Sequence, residues 1–169
     1  MRQGAIVRVL MMLALGMLLA ACGGGDEAAE GQLYSGKVEP DPEAEQVQIT
    51  AVDYAFEELP PTVGSGRVSL IMRNEGDEPH FMFLFQLKQS VTIEEVLEAE
   101  QSGKNPENLI ERQVGDSDVA RPGQTVVLNA NLEPGTYGMV CFIETEDGTP
   151  HALEGMVADF EAVEDGGGY

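Results

Sequence analysis

From residue 47 to residue 163 the chain is cut into short runs of alternating apolar and polar residues by turns built on Pro and Gly. A period of two puts successive side chains on opposite faces, so each run suits a strand with one buried face and suits a helix poorly. Val47 to Phe56 alternates through Val47, Ile49 and Ala51, and Leu59-Pro60-Pro61-Thr62 ends it. Arg67 to Arg73 turns Val68, Leu70 and Met72 inward, with Ser69 and Arg73 expected outward. After a turn at Asn74 to Pro79, the run His80 to Leu87 is apolar on both faces, which marks an interior strand. Gln124 to Leu132, Thr136 to Ile143 and Gly155 to Ala162 repeat the alternation, separated by Glu133-Pro134-Gly135 and a polar loop from Glu144 to Pro150. One insert breaks the rhythm. Thr92 and Glu95 have capping-box spacing for a helix running to about Gln101, and Asn105-Pro106 opens a second short helix predicted over Pro106 to Glu111. Strand, turn and strand throughout, with one helical insert, argue a mainly β protein, an antiparallel or mixed β-sandwich.

The N-terminus is of a different kind. Arg2 and Arg8 precede an apolar run from Val9 to Ala21, too short to span a bilayer comfortably and typical of a secretory signal. The run ends in Leu19-Ala20-Ala21-Cys22, which resembles the lipobox of bacterial lipoproteins. That resemblance implies cleavage after residue 21 and a diacylglycerol on Cys22, hence an extracytoplasmic protein lipid-anchored to a bacterial membrane of the cell envelope. The stretch that follows, Gly-Gly-Gly-Asp-Glu-Ala-Ala-Glu-Gly, has nothing to bury. The expected organisation is a signal peptide over 1–21, a lipidated Cys and flexible acidic linker over 22–44, one domain over 45–163 and a disordered tail over 164–169.

Charge narrows the partners. Nine basic residues face 30 acidic ones, a net charge of −21, and losing a signal that carries Arg2 and Arg8 but no acid makes the mature chain more negative still. Binding to nucleic acid or to anionic headgroups is therefore disfavoured, whereas a basic protein partner such as a c-type cytochrome fits. A solvated acidic surface that keeps the protein soluble is the plainer account of the same charge.

The cysteine count points to a site. With Cys22 lipidated, Cys141 has no disulfide partner within the chain, and a lone thiol outside the cytoplasm is exposed to oxidation unless buried or metal-bound. Nine residues separate Cys141 from His151, and four separate His151 from Met156; the other histidine, His80, lies on a distant run. Taken singly, each has a plain structural reading: a buried thiol, a core or surface histidine, a core methionine. Together, two imidazoles, a thiolate and a thioether are the ligand set of blue copper centres.

Three stretches carry a family resemblance: Asn74-x-Gly76-x-x-Pro79-His80, then Pro134-Gly135-Thr136-Tyr137 leading to Cys141, then His151-Ala152-Leu153-Glu154-Gly155-Met156. Over roughly Val47 to Val163 the chain resembles the cupredoxins, the plastocyanin and azurin family. The resemblance implies a Greek-key β-sandwich and one type 1 copper held by His80, Cys141, His151 and Met156. It departs in a longer loop between Cys141 and His151, in Phe142 where Ser or Thr usually follows the cysteine, and in Phe81 where Asn usually follows the first histidine. The function implied is a membrane-tethered one-electron carrier whose partners dock near His151, expected on the most exposed segment. A copper buffer or chaperone, and a metal-free binding module, are the alternatives. No nucleophile elbow, phosphate loop or zinc-protease motif is present, so the chain reads as a carrier and not an enzyme. Glu144, Glu146 and Asp147 could hold a hard cation but read more simply as a solvated loop.

Overall fold

The computed structural model describes residues 38–164; the expected signal peptide, Cys22 and all but the first residue of the expected tail lie outside them. Among the described residues, nine strands form two mixed sheets. The first has the order β2 (Ala55–Glu57), β1 (Glu45–Val52), β4 (Gly66–Asn74), β7 (Thr125–Leu132). The second runs β3 (Thr62–Gly64), β9 (Val157–Val163), β8 (Gly135–Val140), β5 (Phe83–Leu87), β6 (Ile110–Asp116). β1 pairs parallel to β4, and β3 parallel to β9; the other pairings are antiparallel. This is the β-sandwich that the alternation demanded.

The alternating residues meet between the sheets. Val47, Ile49 and Ala51 of β1, Val68, Leu70 and Met72 of β4, and Val126 and Leu128 of β7 face Leu84, Met139, Phe160 and Tyr137 from the other sheet. Register follows from that burial, since a one-residue slip would turn a whole set outward. Leu70 stands opposite Leu128, and Tyr137 opposite Phe160, whose rings stack 5.5 Å apart. In the connection that leads from β6 into β7, Arg121-Pro122-Gly123-Gln124 closes with an amide bond from Gln124 to the Arg121 carbonyl (2.9 Å), and Gly123 takes φ +79°. Pro second and Gly third is what a type II turn requires.

The outer face of the second sheet carries the helical insert. Helix α1 (Ile93–Gln101) starts at the expected capping box, with Thr92 and Glu95 bonded reciprocally. Its Ile93 and Val96 pack on Phe85, Leu87 and Val140 in a second, smaller cluster. Gly138 permits this approach: a Cβ there would lie 2.7 Å from Phe85 and 2.8 Å from Ile93.

Four expectations are corrected. The second helical segment is a 3-10 turn ending at Leu109, and Ile110 and Glu111 already belong to strand β6. The run from Val47 to Phe56 is two strands, reversed at Asp53 and Tyr54. Ser69 is buried, because its hydroxyl accepts from the Asp41 amide (3.0 Å) and donates to Asn129 (2.6 Å). Those bonds, with Asn129 donating to the Glu39 carbonyl, tie down residues 39–41, part of the stretch that the sequence places in the flexible linker.

Candidate metal centre

One end of the second sheet gathers the expected ligands. β8 lies between β5 and β9, with Val140 opposite both Phe83 and Val157. Cys141 follows β8 directly and Met156 precedes β9, and the Cys141 amide donates to the Met156 carbonyl (3.2 Å). His80 stands before β5, held by a two-way backbone bridge to Ala120 (2.9 and 2.8 Å). Between Cys141 and Met156 the chain loops out through residues 144–150 and returns in a single helical turn, α2 (His151–Glu154). Three amides fasten that turn: His151 to the Ile143 carbonyl, Ala152 to the Cys141 carbonyl, and Met156 to the His151 carbonyl. Sequence neighbours of strands thus become spatial neighbours of one another.

The donor atoms converge. His80, Cys141 and His151 each offer a ligand atom, and those atoms lie within 4.8 Å of one another. The two Nδ1 atoms face each other at 3.2 Å, with Cys141 Sγ 3.7 Å from His151 Nδ1. All three side chains, and Met156, are fully buried. Burial pushes the Cys141 thiol above its ordinary value, opposed by the Phe81 and Ile143 amides at the sulfur. Burial also pushes His80 below its ordinary value, opposed by its bond to Asp53.

The outer edges of both rings explain why the inner edges look as they do. His80 Nε2 lies 2.8 Å from Asp53 Oδ1, and His151 Nε2 lies 2.9 Å from Glu78 Oε2. Ionised carboxylates only accept hydrogen bonds, so in the neutral rings each Nε2 carries the hydrogen and each Nδ1 keeps a lone pair. Two such lone pairs aimed at one another, beside a thiol, are a poor hydrogen-bonded arrangement and a good coordination shell. The donor set suits a type 1 copper ion, for which two imidazoles and a thiolate with a weak thioether are the known combination.

Asp53 and Glu78 were not singled out in the sequence. Asp53 accepts from the Asp77 and Glu78 amides (2.9 and 3.3 Å); although burial opposes, these bonds and the His80 ring hold its carboxyl below the usual range. Glu78 also accepts from the Tyr54 hydroxyl (2.8 Å), and the pKa of that phenol is pushed up to about 12 by the bond. The Tyr54 ring lies 4.7 Å from His151, centroid to centroid. His151 is therefore covered, contrary to the expected exposure. What is exposed nearby is Phe142 and Leu153, which border an apolar groove with Phe83 and Leu97. An acidic crevice lined by Glu78, Glu146, Asp147 and Glu154 lies beside Tyr54.

No protein-family model and no curated protein sequence matches the chain. Solved structures do. The fold is similar to dithionite-reduced auracyanin from the photosynthetic bacterium Roseiflexus castenholzii, with a TM-score of 0.50 and 17% identity over 71% of this chain and 98% of that one. The fold is cupredoxin-like. Auracyanin A, described as a "blue" copper protein from the green thermophilic photosynthetic bacterium Chloroflexus aurantiacus, aligns at TM-score 0.49 and 18% identity, over 70% of this chain and 98% of that one. The cupredoxin-like sandwich expected from the three motif stretches is thus the observed fold, and the histidines and cysteine of those stretches meet at one end of it.

Proposed function

We propose that this protein holds one copper ion and carries single electrons outside the cytoplasm, tethered to a membrane by lipid on Cys22. One observation supports it above the rest: two Nδ1 atoms and a sulfur from three separate segments converge in a buried space, each ring oriented by a carboxylate on its far side. Bound there, copper would supply a one-electron couple between Cu(I) and Cu(II). His80, Cys141 and His151 would hold it, with Met156 the weak fourth ligand. Burial of all four excludes water from the site and keeps their geometry constant, so that little rearrangement accompanies electron gain or loss. Copper affinity then depends on Cys141 losing its proton, since only the thiolate binds.

The partner in this reading is a basic redox protein such as a c-type cytochrome. Glu146, Asp147 and Glu154 would steer it by charge, and Phe142 and Leu153 would meet it near the site. Among the described residues no helix is long and apolar enough to cross a membrane; the tether rests on the Leu19-Ala20-Ala21-Cys22 signature alone. Full burial of the donors favours retention of the ion over handing it on, which separates this reading from a copper chaperone.

The test is redox cycling of the copper-loaded domain in the presence of a Cu(I) chelator. A carrier keeps one copper per chain through repeated reduction and reoxidation. Loss of the ion to the chelator on the first reduction would contradict the proposal and favour the chaperone.

A further inference from the structure

Both histidines are bonded to a carboxylate on the edge away from the site, and those two carboxylates belong to one bonded unit. Asp53 and Tyr54 are adjacent in the turn that ends β1. Asp53 accepts the His80 Nε2–H and two main-chain amides of the segment just before His80. Glu78, whose own amide is one of those two, accepts the His151 Nε2–H and the Tyr54 hydroxyl. Gly76 passes so close that a Cβ would meet the Asp53 carboxylate and lie 2.9 Å from His80 Nε2. The unit therefore fixes the rotation of both rings at once, although the rings come from segments 71 residues apart.

Resting on the copper reading, we propose that Asp53 and Glu78 are positioning residues that set the redox balance of the site. Each holds its imidazole in the Nε2–H tautomer and keeps Nδ1 aimed inward. Each also places a negative charge one ring away from the metal position. A carboxylate accepting the remote N–H makes an imidazole a more basic ligand, and the higher-charged ion gains more from a basic ligand and from a nearby negative charge. Both effects favour Cu(II) over Cu(I), so this site has a lower potential than the same four ligands would have with neutral acceptors. Neither carboxylate is sealed from water, their side chains being 27% and 32% exposed.

The test removes the charge and keeps an acceptor. In Glu78→Gln and Asp53→Asn the amide oxygen can still accept the ring N–H. The expected result is retained copper, a retained thiolate-to-copper absorption band, and a midpoint potential raised in each variant. The rise should be at least the tenfold change in equilibrium that equals about 59 mV for one electron. Copper-loaded variants with unaltered potentials would overturn the inference and leave the copper reading standing. An unaltered protein that takes up no stoichiometric copper would overturn both. Should either variant fail to fold, pulsed EPR of the unaltered Cu(II) protein reads the remote nitrogens directly. The inference requires two remote N–H groups in strong hydrogen bonds that exchange slowly in deuterium oxide; a freely exchanging, solvent-bonded remote nitrogen would contradict it.

Discussion

Asn74 is the residue through which the fold holds its ligand-bearing loop, and replacing it with Ala tests that role quantitatively. Its side chain is fully buried. The amide donates to the Glu78 carbonyl (2.7 Å) and the Ala120 carbonyl (2.9 Å), and its oxygen accepts from the Gly76 amide (2.9 Å). Ala120 is also the residue bridged to His80, so one side chain joins both flanks of the loop. Each such bond contributes about 1 kcal/mol net. The Ala120 carbonyl keeps its bond from the His80 amide, which lessens the loss there. The total for Asn74→Ala is then about 2–3 kcal/mol, a large fraction of the stability of an ordinary domain. At about 4 °C per kcal/mol for a domain of this size, Tm falls by about 8–12 °C. Urea unfolding followed by circular dichroism measures it, with the midpoint moving and the slope unchanged. Asn74→Asp keeps the acceptor but points carboxylate oxygens at two carbonyls, so it should be worse than Ala. A cost below about 1 kcal/mol for Ala, or an Asp variant more stable than the Ala variant, would refute the assigned role.

Other positions separate fold from site. Gly76→Ala forces a methyl against Asp53 and His80 and should weaken copper retention more than it lowers Tm, read by metal content after dialysis. Gly138→Ala overpacks Phe85 and Ile93 and should cost about 1–3 kcal/mol while leaving the spectrum of the loaded site unaltered. Thr92→Ala removes one half of the capping box and should cost about 1 kcal/mol in thermal unfolding. Asp147 accepts from Thr145 and Thr149, which holds its carboxyl below the usual range. A depressed folded-state value means its contribution is present above about pH 4 and is lost as pH falls through the folded-state value. Thr145→Val should bring its NMR titration back toward the ordinary value.

The sandwich could be read from the sequence because its strands are half-buried and their alternation records it. What escaped has a common cause. β6 is an edge strand in which no residue is fully buried, so Ile110 to Asp116 shows little contrast between faces. β3 is three residues long and follows Pro60-Pro61 directly. The site divides in the same way. His80, Cys141 and His151 stand out because histidine and spare cysteine are scarce in this chain, and Met156 through its place in the stretch from His151 to Met156. Asp53 and Glu78 do not, being two acids among 30 whose meaning appears only when folding brings them to rings 27 and 73 residues away. The nearest available signal was Gly76, two residues before Glu78, at a place where only a glycine fits. The burial of His151 was hidden for the same reason, since Tyr54 reaches it from the turn after β1 and Glu78 from the loop after β4.

The most direct test of the copper site is a visible absorption spectrum. The domain from about residue 31 is titrated with Cu(II), freed of excess metal, and recorded beside its Cys141→Ser variant. The account predicts one copper per chain and an intense thiolate-to-copper charge-transfer band that the variant lacks. Stoichiometric copper without that band, or a band unchanged by the substitution, would contradict the placement of the ion at Cys141 and with it the proposed electron-carrying centre.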